Sequence, residues 1–448
     1  MLKTLWRIAG AAAFAVAAQA QAQQATLSPT PPMGWNSWDS YGLTIDESQY
    51  RANVDVLATR LKTAGYQYAV VDEGWYLANP QDASKPETLH YRIDANGRYE
   101  PAINRFATAK GTTGFKSLAN YVHAQGLKFG IHIIRGITKQ AVAGNLPIAG
   151  SAFHAVDAAD TGDTCPWNPD NFGVKDNAAG QAWYDSLMQQ YASWDVDYIK
   201  VDCIASHPYK GDEIRMIHRA IARTGRPMIL SLSPGPAPLE QASELGRNAQ
   251  LWRISNDVWD HWEDNGEWSQ NVKAQFAVIA SWASHVKPGN WPDADMLPLG
   301  WLGPVPGDGK PRTTRLTHDE QRTLVTLWSI ARSPLFFGGN LTKLDDWTLA
   351  LLTNPAVIAM DQRGEGQRFA GQDGAVIAWT THADGAEYLA LFNTGDSEAA
   401  VNAGLAKYGF TGSDYSVRDV WGAESLGKPG VLHQTIAPHG VLLLELRR

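Results

Sequence analysis

Cysteine is scarce in this chain: its 448 residues include two, Cys165 and Cys203. With no Cys-x-x-Cys pair and no histidines at His-x-x-x-His spacing, a structural zinc site is not expected. An excess of positive charge is also missing. Lys and Arg total 38 against 46 Asp and Glu, a net charge of −8, which argues against nucleic acid as a partner because phosphate binding draws on clustered cations. No apolar run reaches the length of a comfortable membrane span. There is no low-complexity linker, and no internal repeat beyond an alternation of helix and strand patterns.

What is present begins with a leader-like start. Met1-Leu-Lys-Thr-Leu-Trp-Arg7 is a basic n-region, the alanine-rich stretch after it a short h-region, and Ala18-Gln-Ala and Ala20-Gln-Ala offer small-x-small cleavage sites. A signal peptide over residues 1–22 is therefore expected, with export to a periplasm or the extracellular space; an uncleaved anchor is the alternative. In such an oxidising compartment Cys165 and Cys203 would be free to pair, and the bridge would brace Asp202, the residue before Cys203; two unrelated buried thiols are the other reading. Hydrophobic content of 44% and charged content of 19% are those of a globular protein, but eighteen tryptophans are many, and indoles serve a large core or the apolar face of a sugar equally well.

The middle of the chain repeats one unit. A helical stripe (Phe115, Leu118, Tyr121, Val122) is stopped by Gly126 and followed by Leu127-Lys-Phe-Gly-Ile-His-Ile-Ile134. Further stripes precede Tyr198-Ile-Lys-Val201 and Met228-Ile-Leu-Ser-Leu232. Short, continuously apolar strands after helices mean parallel strands covered on both sides. About eight such strands can be counted: near Met33, at 68–71, 128–134, 198–201, 228–232 and 251–254, around 290–296, and at 335–337. Eight suggests a closed (β/α)8 TIM barrel over residues 23–360. From residue 361 to 448 short alternating segments between Gly, Asp and Asn turns point to a C-terminal antiparallel β-sandwich domain. Two long loops, 137–176 and 303–315, are expected to shape a cleft or an interface.

Polar residues collect just after the strands, at the end where such barrels do chemistry. Asp202 closes Tyr-Ile-Lys-Val-Asp, and Asp257 follows Trp252-Arg-Ile-Ser-Asn. Two carboxylates on separate strands are the minimum for cleaving a glycosidic bond through a covalent intermediate. Lys200 would hold Asp202 ionised, although a structural ion pair would look the same. Arg253 could bind a sugar hydroxyl, and Asp257 could instead be a helix cap. Asp72 and Glu73 could accept hydrogen bonds from vicinal hydroxyls, with Trp75 over an apolar sugar face; no further acids flank them at EF-hand spacing, so calcium is discounted. His132 is either a hydrogen-bonding group or a satisfied core histidine, and Asp293 and Asp295 either meet a hydroxyl or terminate a strand.

In chain order, Pro31-Pro-Met-Gly-Trp-Asn-Ser-Trp38, Asp72-Glu-Gly-Trp75, Lys128-Phe-Gly-Ile131, Asp197-Tyr-Ile-Lys-Val-Asp202, Trp252-Arg-x-x-x-Asp257 and Trp291-Pro-Asp-Ala-Asp-Met-Leu297 resemble glycoside hydrolase family 27, the α-galactosidase and α-N-acetylgalactosaminidase family. The resemblance implies a barrel followed by an antiparallel β-domain, and a retaining double displacement with Asp202 as nucleophile and Asp257 as acid/base. It implies sugar contacts from Trp35, Asp72, Glu73, Lys200, Arg253 and one of Asp293 and Asp295, and a bridge between Cys165 and Cys203. No metal or organic cofactor is implied. The chain departs from many members in having Glu73 where a second Asp is usual, His132 in place of Tyr, and Ser231-Leu-Ser-Pro-Gly235 around Ser233 in place of a Cys-x-Trp segment. With Ile134-Arg-Gly-Ile137 and Ser333-Pro-Leu-Phe-Phe-Gly-Gly339, these resemble a branch associated with both α-galactosidase and β-L-arabinopyranosidase activity.

The expected function is hydrolysis of terminal α-D-galactosyl residues, with β-L-arabinopyranosides as the alternative. A sugar carrying a 2-acetamido group is the weaker reading: Ser233 makes room for it, but Pro234 and Pro236 break the rest of the motif. Expected partners are glycans bearing galactose or L-arabinopyranose, with no nucleic acid and no membrane span after leader cleavage; assembly into a homo-oligomer is left open. Non-enzymatic readings are a galactoside-binding lectin-like protein, which could dispense with one of the two carboxylates, and a surface-adhesion scaffold, for which no repeat or linker speaks.

Overall fold

Eight short parallel strands form the core of the computed structural model, which describes residues 27–111, 114–263, 271–412 and 414–448. The leader expected over residues 1–22 lies outside them. The strands are β1 (Met33–Asn36), β2 (Tyr68–Val71), β3 (Lys128–Ile134), β4 (Tyr198–Asp202), β5 (Ile229–Leu232), β6 (Leu251–Arg253), β7 (Trp291–Asp293) and β8 (Leu335–Phe337). They hydrogen-bond in the order β7-β6-β5-β4-β3-β2-β1-β8. The two ends of the row meet where Leu297, just past β7, pairs in parallel with Phe337 of β8. The eight segments counted in the sequence are these eight strands, shorter by a residue or more in several cases.

Side-chain alternation explains why the runs look continuously apolar. Ala69 and Val71, Ile131 and Ile133, Ile199 and Val201, and Leu230 and Leu232 face outward into the main core beneath the helices. Tyr68, Val70, Tyr198, Ile229, Leu251, Trp291 and Phe336 face inward and fill the barrel's own small core. Both faces are buried, so neither can be polar until the strand ends. Val70 thus sits one layer below Asp72, and Tyr198 one layer below Lys200 and two below Asp202, so the barrel's apolar plug is the floor on which the polar site rests.

The helix Pro355–Arg363 ends the barrel, and an antiparallel sheet starts at Glu365. Its six strands run in the order 365–373, 376–383, 386–393, 441–447, 416–419 and 424–427, and a separate antiparallel pair, 399–403 with 432–436, packs into the same core. Their mutual core is built from Leu389, Leu391, Val401, Leu432 and Leu444. The helix His318–Ala331 joins the two parts: Trp421 Nε1 donates to Thr326 Oγ1 at 3.0 Å, and the ring of His439 lies between Glu320 (2.7 Å) and Asp396 (2.9 Å) and stacks on Trp262. Among the described residues no helix is long and apolar enough to cross a membrane.

Candidate active site

A cavity of about 440 Å³ opens at the C-terminal ends of the barrel strands, lined by Asp72, Glu73, His132, Lys200, Asp202, Ser233, Arg253 and Asp257, with Trp38, Leu43, Trp167, His207 and Met296 among the rest of its wall. Parallel register sets the layers. His132 of β3 stands opposite Lys200 of β4, and Lys200 opposite Ser231 of β5, so polar side chains from adjacent strands reach one level. Asp202, two residues beyond Lys200, is one layer higher on the same face.

Asp202 receives two donors: Ser233 Oγ on Oδ1 at 3.0 Å and Trp167 Nε1 on Oδ2 at 3.1 Å. Behind it, the backbone N–H of Arg135 donates to Asp202 O at 3.1 Å and the Arg135 guanidinium to Cys203 O at 2.6 Å. That guanidinium is itself buried between Asp163 (2.9 Å) and Glu213 (2.8 Å). The bond between Cys165 and Cys203 is formed. Asp257 is set differently. It lies four residues past β6 in a loop, its side chain 52% exposed, with Arg253 Nη2 3.3 Å from Oδ1. One carboxylate is gripped and the other is free to meet water.

Lys200 does not pair with Asp202 as the sequence suggested. Its Nζ reaches across the barrel to Asp72 Oδ2 at 2.9 Å, because Asp72 projects inward from β2 at a height the lysine side chain can reach. Asn36 Nδ2 donates to the same oxygen at 2.7 Å. Burial alone would raise the Asp72 carboxyl, but Lys200 and His132 outweigh it and hold the group well below the ordinary carboxylate range. Glu73, the next residue, goes the other way. Burial, then the carboxylates of Asp202, Asp72 and Asp170, push it up to about 8, so at neutral pH it is a neutral acid with a proton to donate. Asn168 Nδ2 donates to Glu73 Oε1 at 2.7 Å. The His132 ring is buried, which shifts its pKa below the ordinary imidazole value, and its Nδ1 has no partner.

Two tryptophans expected at the sugar are not there. Trp35 is 0% exposed, packs on Tyr41 and Tyr50, and gives its N–H to Gly339 O at 2.9 Å. Strand alternation accounts for this: Asn36 faces into the barrel, so Trp35 faces out. Trp38, just past the strand, is the one that lines the cavity. Trp75 is likewise core, donating to His132 O at 2.8 Å and packed on Phe115 and Trp194. Neither Asp293 nor Asp295 lines the cavity wall. Both line a small recess beneath it, where Asp295 grips Arg253 Nη1 at 2.7 Å and accepts the N–H of Val258 at 2.7 Å, and Asp293 accepts the N–H of Asp295 at 2.9 Å. They position Arg253 and the loop that carries Asp257.

Glu73, His132 and Asp202 bring one donor atom each within 4.8 Å of one another, a set of the kind that could hold a cation. The ammonium of Lys200 beside His132 and the protonated state of Glu73 oppose that use. Sequence reasoning missed Trp38, Trp167, Asn168 and Arg135. Trp38 stood inside a quoted motif, and Arg135 stood inside Ile134-Arg-Gly-Ile137 without being assigned a role. Trp167 and Asn168 had a single signal, their closeness to Cys165.

A protein-family model described as alpha galactosidase A matches residues 30–170 and 170–363, and one described as the alpha galactosidase C-terminal beta sandwich domain matches residues 372–446. Among solved structures, a GH27 β-L-arabinopyranosidase from Geobacillus stearothermophilus superposes with a TM-score of 0.89 at 43% identity, over 95% of this chain and 98% of that one. A protein from Bacillus halodurans described as a putative α-N-acetylgalactosaminidase gives 0.82 at 39%, over 93% and 97%. Alpha-galactosidase A of Cellvibrio japonicus is 28% identical over 97% of this chain and 96% of its own length.

Proposed function

From the premise that this chain belongs to the α-galactosidase family of glycoside hydrolases, family 27, we propose that it removes terminal sugars of galacto configuration by a retaining double displacement. The shared target is the ring common to α-D-galactopyranosides and β-L-arabinopyranosides. The observation that carries this reading is the unlike pair of carboxylates on one cavity: Asp202, clamped at both oxygens, and Asp257, half-exposed beside Arg253. Asp202 attacks the anomeric carbon while Asp257 gives its proton to the departing oxygen. Asp257 then takes a proton from water, which cleaves the glycosyl ester and restores the starting configuration. Charged Asp72 accepts from a ring hydroxyl, and Lys200 and neutral Glu73 donate to others. Nothing in the comparisons speaks for the lectin-like reading.

A specific observation favours the pentose within that class. The Glu73 carboxyl lies within 4.8 Å of Asp202. The anomeric carbon must sit at Asp202, and only the ring oxygen separates it from C5, where a hexose carries its hydroxymethyl group. Glu73 reaches one methylene further into that space than Asp would. We therefore place β-L-arabinopyranosides ahead of α-D-galactosides for this chain, a reading supported by the 43% identity to the Geobacillus enzyme. The test is turnover of the two aryl glycosides by wild type and by Asp202→Ala, with the product anomer read by NMR. Loss of at least a thousandfold in the variant at unchanged melting temperature, and retention in the wild type, are expected. An Asp202→Ala variant within tenfold of wild type sinks the reading.

A further inference from the structure

Trp167 is anomalous as a surface residue. The residue is 45% exposed, yet its N–H is spent on a carboxylate oxygen inside the cavity. An exposed indole ordinarily turns its N–H to water, so something must hold this one inward. The segment Cys165–Asp170 is fastened at three points. Cys165 is bonded to Cys203, the residue after Asp202. Asn168 is buried and donates to Glu73 at 2.7 Å. Asp170 is buried and accepts from Tyr76 at 3.0 Å and from Tyr91. Trp167 stands on this clamped arch, with its reach set by the same disulfide that anchors the strand end carrying Asp202.

Resting on the double displacement proposed above, we infer that Trp167 is a positioning residue for Asp202, marking Oδ2 as the oxygen that does not attack. Ser233 Oγ holds Oδ1 and can turn its hydroxyl to the sugar, whereas the indole on its tethered arch has no second orientation. In the first step Oδ1 forms the bond to the anomeric carbon as the bond to the leaving oxygen breaks and Asp257 supplies the proton; Oδ2 becomes the ester carbonyl and keeps the indole hydrogen bond. In the second step water adds to the anomeric carbon, its proton passes to Asp257, and the electron pair of the ester bond returns to the carboxylate. The N–H then faces charge that grows during the step, so it assists the second step and slightly opposes the first.

This asymmetry separates positioning from packing. Trp167→Phe keeps a ring on the arch and removes the donor. One hydrogen bond to a charged group corresponds to roughly ten- to a hundredfold in rate. On an aryl glycoside with a good leaving group, kcat is expected to fall by that factor and KM to fall with it, leaving kcat/KM within about threefold and producing a burst of aryl alcohol. Trp167→His, which restores an N–H at that edge, is expected to recover part of kcat. The inference is overturned if Trp167→Phe lowers kcat/KM while KM rises, if no burst appears, or if kcat is unchanged. All rates are ratios to wild type, so a wild type inert on both sugars defeats the proposed function instead.

Discussion

Shortening one side chain by a methylene should reorder the two sugars. Glu73→Asp withdraws the carboxyl from the space where a hexose hydroxymethyl group must lie, and a pocket change of that size is worth roughly 1–3 kcal/mol, or about 5- to 150-fold, in discrimination. The substitution also breaks the 2.7 Å contact with Asn168, which lowers activity. That loss falls on both sugars alike, because Asn168 holds Glu73 from behind, so it cancels in the ratio. The quantity to measure is therefore the ratio of kcat/KM for 4-nitrophenyl β-L-arabinopyranoside to that for 4-nitrophenyl α-D-galactopyranoside, in wild type and variant at pH 6.5 to 7. The ratio is expected to fall toward the galactoside by at least fivefold while the absolute kcat/KM of the pentose declines. A ratio that moves by less than about twofold refutes the placement of Glu73 against C5, whatever happens to the absolute rates.

Other consequences follow from the same structure. Glu73 is raised from 4.5 to about 8, chiefly by burial, so the stabilisation its proton provides is complete below pH 4.5 and is lost as pH rises through 8; kcat/KM should fall in the same upper range as a second negative charge appears beside Asp202. Glu73→Gln, which mimics the protonated acid, should abolish that alkaline limb, and a limb that persists near pH 8 excludes Glu73 as its source. Asp260 is fully buried and bound by Arg312 and Arg315, at 2.6 and 2.9 Å for the shorter contacts. Burial opposes its ionisation, but the two arginines outweigh that and hold it at about 2. Its stabilising effect is present above pH 3.8 and disappears as pH falls through 2, and Asp260→Asn should cost about 3 kcal/mol in urea unfolding at pH 7 because it removes the buried carboxylate that the partly buried Arg312 and the exposed Arg315 share; under 1 kcal/mol would mean that water already serves both arginines.

The barrel was legible because burial on both faces writes a strand as an unbroken apolar run, and a carboxylate ending such a run can only emerge at the rim. That logic found Asp72, Lys200, Asp202 and Ser233. It misjudged Trp35, although alternation from Asn36 would have turned that indole outward, and it gave Lys200 the wrong partner. Lys200 and Asp202 share a face two residues apart, about 6.6 Å of strand rise, while Asp72 comes across from β2 at reachable height, and no single strand's sequence contains that cross-barrel distance. Asp293 and Asp295 carried the opposite ambiguity. Both are buried acids on the right edge, but the guanidinium of Arg253 draws Asp295 below the cavity, a choice made by the neighbouring strand. Trp167 and Asn168 were invisible to periodicity because their loop has none. What fixes them is a disulfide and two buried hydrogen bonds, and only the cysteine could be seen in advance.

The most consequential pair in the site is adjacent in sequence and unlike in charge. Asp72 and Glu73 are consecutive acids, yet Lys200 and Asn36 keep the first ionised while burial beside Asp202 and Asp170 keeps the second protonated. An ionised Asp72 can only accept from a sugar hydroxyl, whereas a protonated Glu73 can also donate to its neighbour. The difference also protects Asp202. A charged Glu73 so close to it would set two like charges side by side in the cavity. The longer side chain thus owes its neutral state to burial, and the N–H of Asn168, donated to Glu73 at 2.7 Å, offsets part of that rise. Substituting Asn168 with Ala should therefore impair catalysis toward both sugars and also raise the pH at which the alkaline limb begins, because the amide donor that favours the ionised form of Glu73 is lost. A limb left at its wild-type position in Asn168→Ala would break the link between that arch and the protonation state of Glu73.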